Sequence, residues 1–103
     1  MKDSLSSQQF SLIYNNSFII NTPKITYRVG SEKVFAIGFS INKRLGGASL
    51  RNRFKRQVRA LYRDGFIKKN KKIPMIIAPK TINLGWIDIK NSFDLVEKKI
   101  HGC

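Results

Sequence analysis

Apolar positions recur along the chain in two rhythms. Between residues 5 and 14, Phe10, Ile13 and Tyr14 fall at helical spacing behind Ser6 as N-cap and Gln9 as its capping-box partner. This predicts a short first helix, ended by Asn15-Asn16-Ser17. From Phe18 to Val29 the residues favour extended chain; Pro23 interrupts the stretch, and Ile25, Tyr27 and Val29 alternate beyond it, predicting a strand over 24–29. After the turn-like Gly30-Ser31-Glu32-Lys33, the run from Val34 to Ile41 is apolar on both faces. It reads as a central strand, forming an antiparallel hairpin with the strand before it.

Ser49 is a natural N-cap for a helix over 50–63, stopped by Asp64-Gly65. Leu50, Phe54, Val58 and Leu61 share a sector of roughly 80° and are predicted to pack on the sheet. A third strand follows over 73–78, closed by Pro79, and Asp88 or Asn91 caps a last helix with Phe93, Val96 and Ile100 on one side. The predicted fold is α+β, an α-β-β-α-β-α two-layer sandwich with helices covering a small sheet. Its 103 residues allow one domain, spanning 1–103.

Charge adds a partner to this picture. Lys and Arg number 20 against 6 Asp and Glu, a formal net charge of +14, far more than solubility requires. Such a surplus points to a polyanion. Opposite the apolar stripe of the central helix lie Asn52, Lys55, Arg56, Arg59 and Arg63, with Arg51 and Arg53 on its margins and no acid among them. Lys55, Arg59 and Arg63 stack like charges at i,i+4 spacing, at a cost of about 0.2–0.5 kcal/mol per pair. A solvated helix in a basic protein is the plainer alternative, but the acid-free face, the arginine bias and the whole-chain charge agree on phosphate binding. The planar guanidinium holds a phosphate with two hydrogen bonds, and the amides near Leu50 and Arg51 add a helix-terminal anion site.

The residues for chemistry within this chain are missing. His101 is the one histidine, beside the C-terminus, and Asp3, Glu32, Asp64, Asp88, Asp94 and Glu97 are scattered rather than clustered. Gly46-Gly47 lacks the Walker spacing. The lone Cys103 excludes an intrachain disulfide and fits a reducing cytoplasm, and no stretch reaches the length of a membrane span. A binding protein is therefore expected, with no catalytic residue and no metal site of its own. Lys68, Lys69, Lys71 and Lys72 read as a solvated loop, and Trp86 as a core or loop anchor.

The segment Lys43-Arg44-Leu45-Gly46-Gly47-Ala48-Ser49-Leu50-Arg51-Asn52-Arg53-Phe54-Lys55-Arg56-Gln57-Val58-Arg59 strongly resembles the signature of the bacterial ribonuclease P protein subunit. Gly38-Phe39-Ser40-Ile41-Asn42 is similar to that family's strand entering the basic connector, and Phe10-x-x-Ile13-Tyr14 to its first-helix motif. The chain departs from the pattern at Asn42 and Gly47, where the family often carries Ser and Asn, and in lacking a basic lead before the first helix.

The resemblance implies a basic helix crossing between two parallel strands with left-handed sense, against the usual rule. It implies a subunit of an endoribonuclease whose catalytic RNA cleaves the 5′ leader from precursor tRNA, with magnesium bound mainly by RNA and substrate. Lys43, Arg44, Arg51, Asn52, Arg53, Lys55, Arg56 and Arg59 then bind the RNA subunit, and Phe10, Tyr14 and Tyr27 the precursor leader, where plain core packing is the alternative for the aromatics. The implied partners are the ribonuclease P RNA and precursor tRNA in the cytoplasm, with no membrane and no obligate protein partner. The competing readings are a general structured-RNA-binding or ribosome-associated protein, and a metal-dependent nuclease needing a carboxylate cluster the sequence does not display.

Overall fold

The computed structural model describes Asn15 and residues 17–101; the predicted first helix, with Phe10 and Tyr14, lies outside the described residues. Four strands, β1 (Ser17–Asn21), β2 (Ile25–Gly30), β3 (Ile37–Phe39) and β4 (Met75–Pro79), form one mixed sheet. Among the described residues two long helices, α1 (Ala48–Tyr62) and α2 (Trp86–His101), accompany the sheet in an α+β fold.

Pro23, expected only to interrupt a strand, sits in a turn that makes two strands out of the predicted stretch. Thr22 holds that turn: its amide and its hydroxyl both donate to the Ile25 carbonyl, at 2.9 and 2.6 Å. β1 and β2 pair antiparallel across it, with Ile20 opposite Tyr27.

The predicted hairpin between the strands around 24–29 and 34–41 does not form. The sheet order is β1-β2-β4-β3, so β4 lies between them, antiparallel to β2 and parallel to β3. The reason is burial. Met75, Ile76 and Ile77 are all buried, which demands a neighbour on each side, whereas β3 has only three paired residues and suits an edge. The chain passes from β3 through α1 to reach the parallel β4.

One face of the sheet presents Ile20, Ile25, Tyr27, Val29, Ile37, Met75 and Ile77 to Phe54, Val58 and Tyr62 of α1, Phe66, and Ile89, Phe93 and Val96 of α2. Phe66 joins the two helices, stacked on Tyr62 at 5.2 Å and edge-on to Phe93 at 5.7 Å.

The helix ends also differ from expectation. The N-cap of α1 is Gly47, not Ser49, and it offers no side chain to the first-turn amides. Asp64 and Gly65 do not stop the helix: residues Arg63–Ile67 widen into a π turn in which the Lys68 amide donates to the Arg63 carbonyl at 2.9 Å. α2 starts at Trp86, with the Asp88 carboxylate reaching back to accept from the Gly85 amide at 3.4 Å.

Candidate functional site

The apolar stripe of α1 is Phe54, Val58 and Tyr62, rotated from the predicted one: Leu50 is exposed and Leu61 half-buried. The predicted set missed Tyr62, whose fit is signalled by its hydroxyl as much as by its ring. That hydroxyl donates to the Ile73 carbonyl at 2.7 Å and accepts from the Ala36 amide at 3.1 Å, tying the helix to the entries of β4 and β3.

Rotation of the stripe divides the cationic face. Arg51, Lys55 and Arg59 are half-buried on the β3 side, and Asn52, Arg53 and Arg56 are exposed. Arg59 lies over the Phe39 ring at 5.3 Å, and Phe39 meets Phe54 edge-on at 6.1 Å. On the other flank, Arg53 Nη2 donates to the Leu84 carbonyl at 3.5 Å. Arg53 and Arg59 are thereby positioned by neighbouring elements on the two flanks of the face.

The connector continues the same surface. Lys43 and Arg44 are exposed on a 3-10 turn (Lys43–Leu45), capped by the Asn42 side chain accepting from the Arg44 amide at 2.9 Å. Asn42 therefore supplies the cap itself. Gly46 packs tightly beneath: a Cβ there would stand 2.6 Å from Ile82 Cγ2.

Among the described residues no carboxylate neutralises this surface. Among the described residues the ion pairs are Lys24–Asp88, Lys68–Asp64 and Lys69–Glu97, all away from it. Arg51 Nε and Arg59 Nε are buried without a hydrogen-bond partner among the described residues. The Arg51 amide, expected to face an anion, is spent on the Gly47 carbonyl at 3.1 Å; the first-turn amides before it keep the helix-terminal positive potential, with no acid in that turn.

Tyr27 sits elsewhere. It is fully buried, edge-on to Phe93 at 6.1 Å, with its hydroxyl 3.0 Å from that of Ser92. Burial, partly offset by this hydrogen bond, pushes the phenol up to about 12. In this arrangement its ring offers no face to a base. A hollow of about 200 Å³ lies between the β1–β2 turn and α2, lined by residues including Thr22, Lys24, Asp88 and Ser92 and by none of the basic-face side chains. Among the described residues no cluster of His, Cys, Asp or Glu could hold a metal, and no helix is long and apolar enough to cross a membrane.

Fold and site together define a class: a small α+β protein that carries an arginine-rich helix on a four-stranded sheet as an unneutralised cationic surface. The sequence model of the Ribonuclease P family matches residues 3–101. The chain belongs to that family. It is 36% identical over 90 residues to the ribonuclease P protein component of Finegoldia magna, an alignment covering 87% of this chain and 66% of that protein. It thus spans about two thirds of that relative's length. The fold matches the RNase P protein of Staphylococcus aureus, with a TM-score of 0.81 at 21% identity over 98% of this chain and 97% of that one. It also matches the Thermotoga maritima RNase P protein, with a TM-score of 0.76 at 17% identity, covering 97% and 99% of the two chains.

Proposed function

We propose that the chain is the protein subunit of a ribonuclease P, binding the catalytic RNA and assisting magnesium-dependent removal of the 5′ leader from precursor tRNA. The observation that carries this reading is the cationic face of α1 and its connector, which has no carboxylate partner among the described residues. Lys43, Arg44, Arg51, Arg53, Lys55, Arg56 and Arg59 pair with RNA phosphates, and Asn52 adds hydrogen bonds. Neutralising clustered phosphates lowers their mutual repulsion, so the assembled RNA needs less magnesium.

Magnesium supplies the cleavage chemistry on RNA and substrate; this chain's part is to hold RNA in place. The leader is assigned by family resemblance to Phe10 and Tyr14, stacking on unpaired bases, while Tyr27 is buried in the core. A cytoplasmic setting follows from the RNA partners. The test is cleavage of a 5′-extended precursor tRNA by a bacterial ribonuclease P RNA at limiting magnesium, with and without the protein. Stimulation supports the reading; RNA binding without stimulation leaves only a general RNA-binding protein.

A further inference from the structure

Trp86 is the chain's one tryptophan, and 41% of it is exposed. It belongs to neither the core nor the cationic helix. It stands at the first position of α2, two residues beyond Leu84, whose carbonyl takes the Arg53 guanidinium. Its direction follows from the helix. Eleven residues are close to three turns, so Trp86 and Glu97 share a flank of α2, with Lys90 one turn from Trp86 on the same side. At its Glu97 end that flank meets the π turn that continues α1, because a Cβ on Gly65 would stand 2.5 Å from the Glu97 carboxylate. Arg53 near Leu84 and Gly65 near Glu97 also show the two helices running side by side in one direction. The indole therefore starts the flank of α2 that runs on to Glu97, at the end of the helix where the Leu84 carbonyl takes Arg53. The hollow near Thr22 and Asp88 lies on the opposite flank of α2.

We infer that Trp86 is a stacking platform for an unpaired RNA base at the edge of the cationic surface. This rests on the RNA-binding reading above and extends it from phosphates to a base. A single exposed apolar side chain is ordinary, but an indole one helical turn from the exposed Lys90 and two residues beyond the carbonyl that takes Arg53 combines a ring face with nearby cations able to hold the strand's phosphates. Phosphate pairing alone accepts any folded RNA, whereas the indole accepts only a base free of its duplex. The base comes either from the RNA subunit or from the precursor's leader.

With one tryptophan, the protein's indole emission reports this position alone. The test titrates the full chain with ribonuclease P RNA, with 5′-extended precursor tRNA, and with a fully paired RNA duplex, following emission and filter retention in parallel. The expected result is quenching by one or both RNAs bearing unpaired bases and little change with the duplex at equal occupancy. Which RNA quenches identifies the source of the base. Trp86→Leu should bind the quenching RNA roughly fivefold more weakly, Trp86→Phe should retain most affinity, and both should keep the parent's circular dichroism. RNA retained on the filter with unchanged emission, or Trp86→Leu binding as the parent does, overturns the inference and leaves the phosphate-binding reading standing. Absence of RNA retention overturns both.

Discussion

The Arg59 guanidinium lies 5.3 Å above the centre of the Phe39 ring, joining the basic helix to the edge strand. The contact leaves the side chain's charge intact while fixing where it is held, with Nε buried and unpaired. Arg59→Ala should therefore lose about 0.5–1 kcal/mol of stability in denaturant unfolding and also weaken RNA binding, with the slope of log affinity against log salt shallower by about 1. Arg59→Lys should restore the salt slope but not the planar stacking.

Arg56 provides the contrasting case, exposed and without a hydrogen-bond, ion-pair or ring partner among the described residues. Arg56→Ala should leave stability within about 0.5 kcal/mol of the parent while the salt slope again falls by about 1. Equal loss of stability and binding would place Arg56 in the scaffold instead.

Two adjacent glycines separate packing from capping. A Cβ on Gly46 would stand 2.6 Å from Ile82 Cγ2 and 3.3 Å from Leu50 Cδ1, and Ile82 is buried with little room to move. Gly46→Ala should cost about 1–3 kcal/mol. Gly47 has nothing within 4 Å of its Cβ position and caps α1 in extended conformation without a side chain. Gly47→Asn should gain a few tenths of a kcal/mol by accepting from a first-turn amide. Thermal unfolding of the pair measures both.

Tyr27 makes stability depend on alkaline pH. Its folded pKa, pushed up to about 12, lies above the value of 10 for an unperturbed phenol. The contribution is therefore full below pH ~10 and is lost as pH rises through about 12, because the unfolded chain releases the proton first. Ultraviolet titration should show this phenol ionising together with loss of circular dichroism. Tyr27→Phe should cost about 0.5–1.5 kcal/mol through the lost Ser92 hydrogen bond and leave affinity for the RNA subunit unchanged.

Helix α1, its acid-free cations and the strand now seen as β4 were legible in the sequence because each is a local pattern: a helical period, a charge surplus, an apolar run. Strand pairing was not. β2 and β3 are neighbours along the chain, yet β4 lies between them, a choice made by burial of Met75, Ile76 and Ile77 rather than by the residues joining β2 to β3. The split of the basic face was hidden for a related reason. A wheel centred on Leu50 and Leu61 ignores Tyr62, whose hydroxyl bonds to Ile73 and Ala36 turn α1 so that Arg59 meets Phe39. Alternation placed Tyr27 on one face of a strand, but only the pairing with β4 and the contact with Phe93 put it inside the core.

The central claim is that the unneutralised face of α1 holds the catalytic RNA of ribonuclease P. Its most direct test is the magnesium dependence of precursor tRNA cleavage at the mature 5′ end, at near-physiological salt, with protein and RNA also run separately. Parent protein should shift cleavage to lower magnesium only in the presence of the RNA. The double variant Arg51→Ala/Arg53→Ala should lose most of that shift while remaining folded. A protein that binds a cognate RNA yet leaves the magnesium dependence unmoved, or a double variant that stimulates as well as the parent, would contradict it.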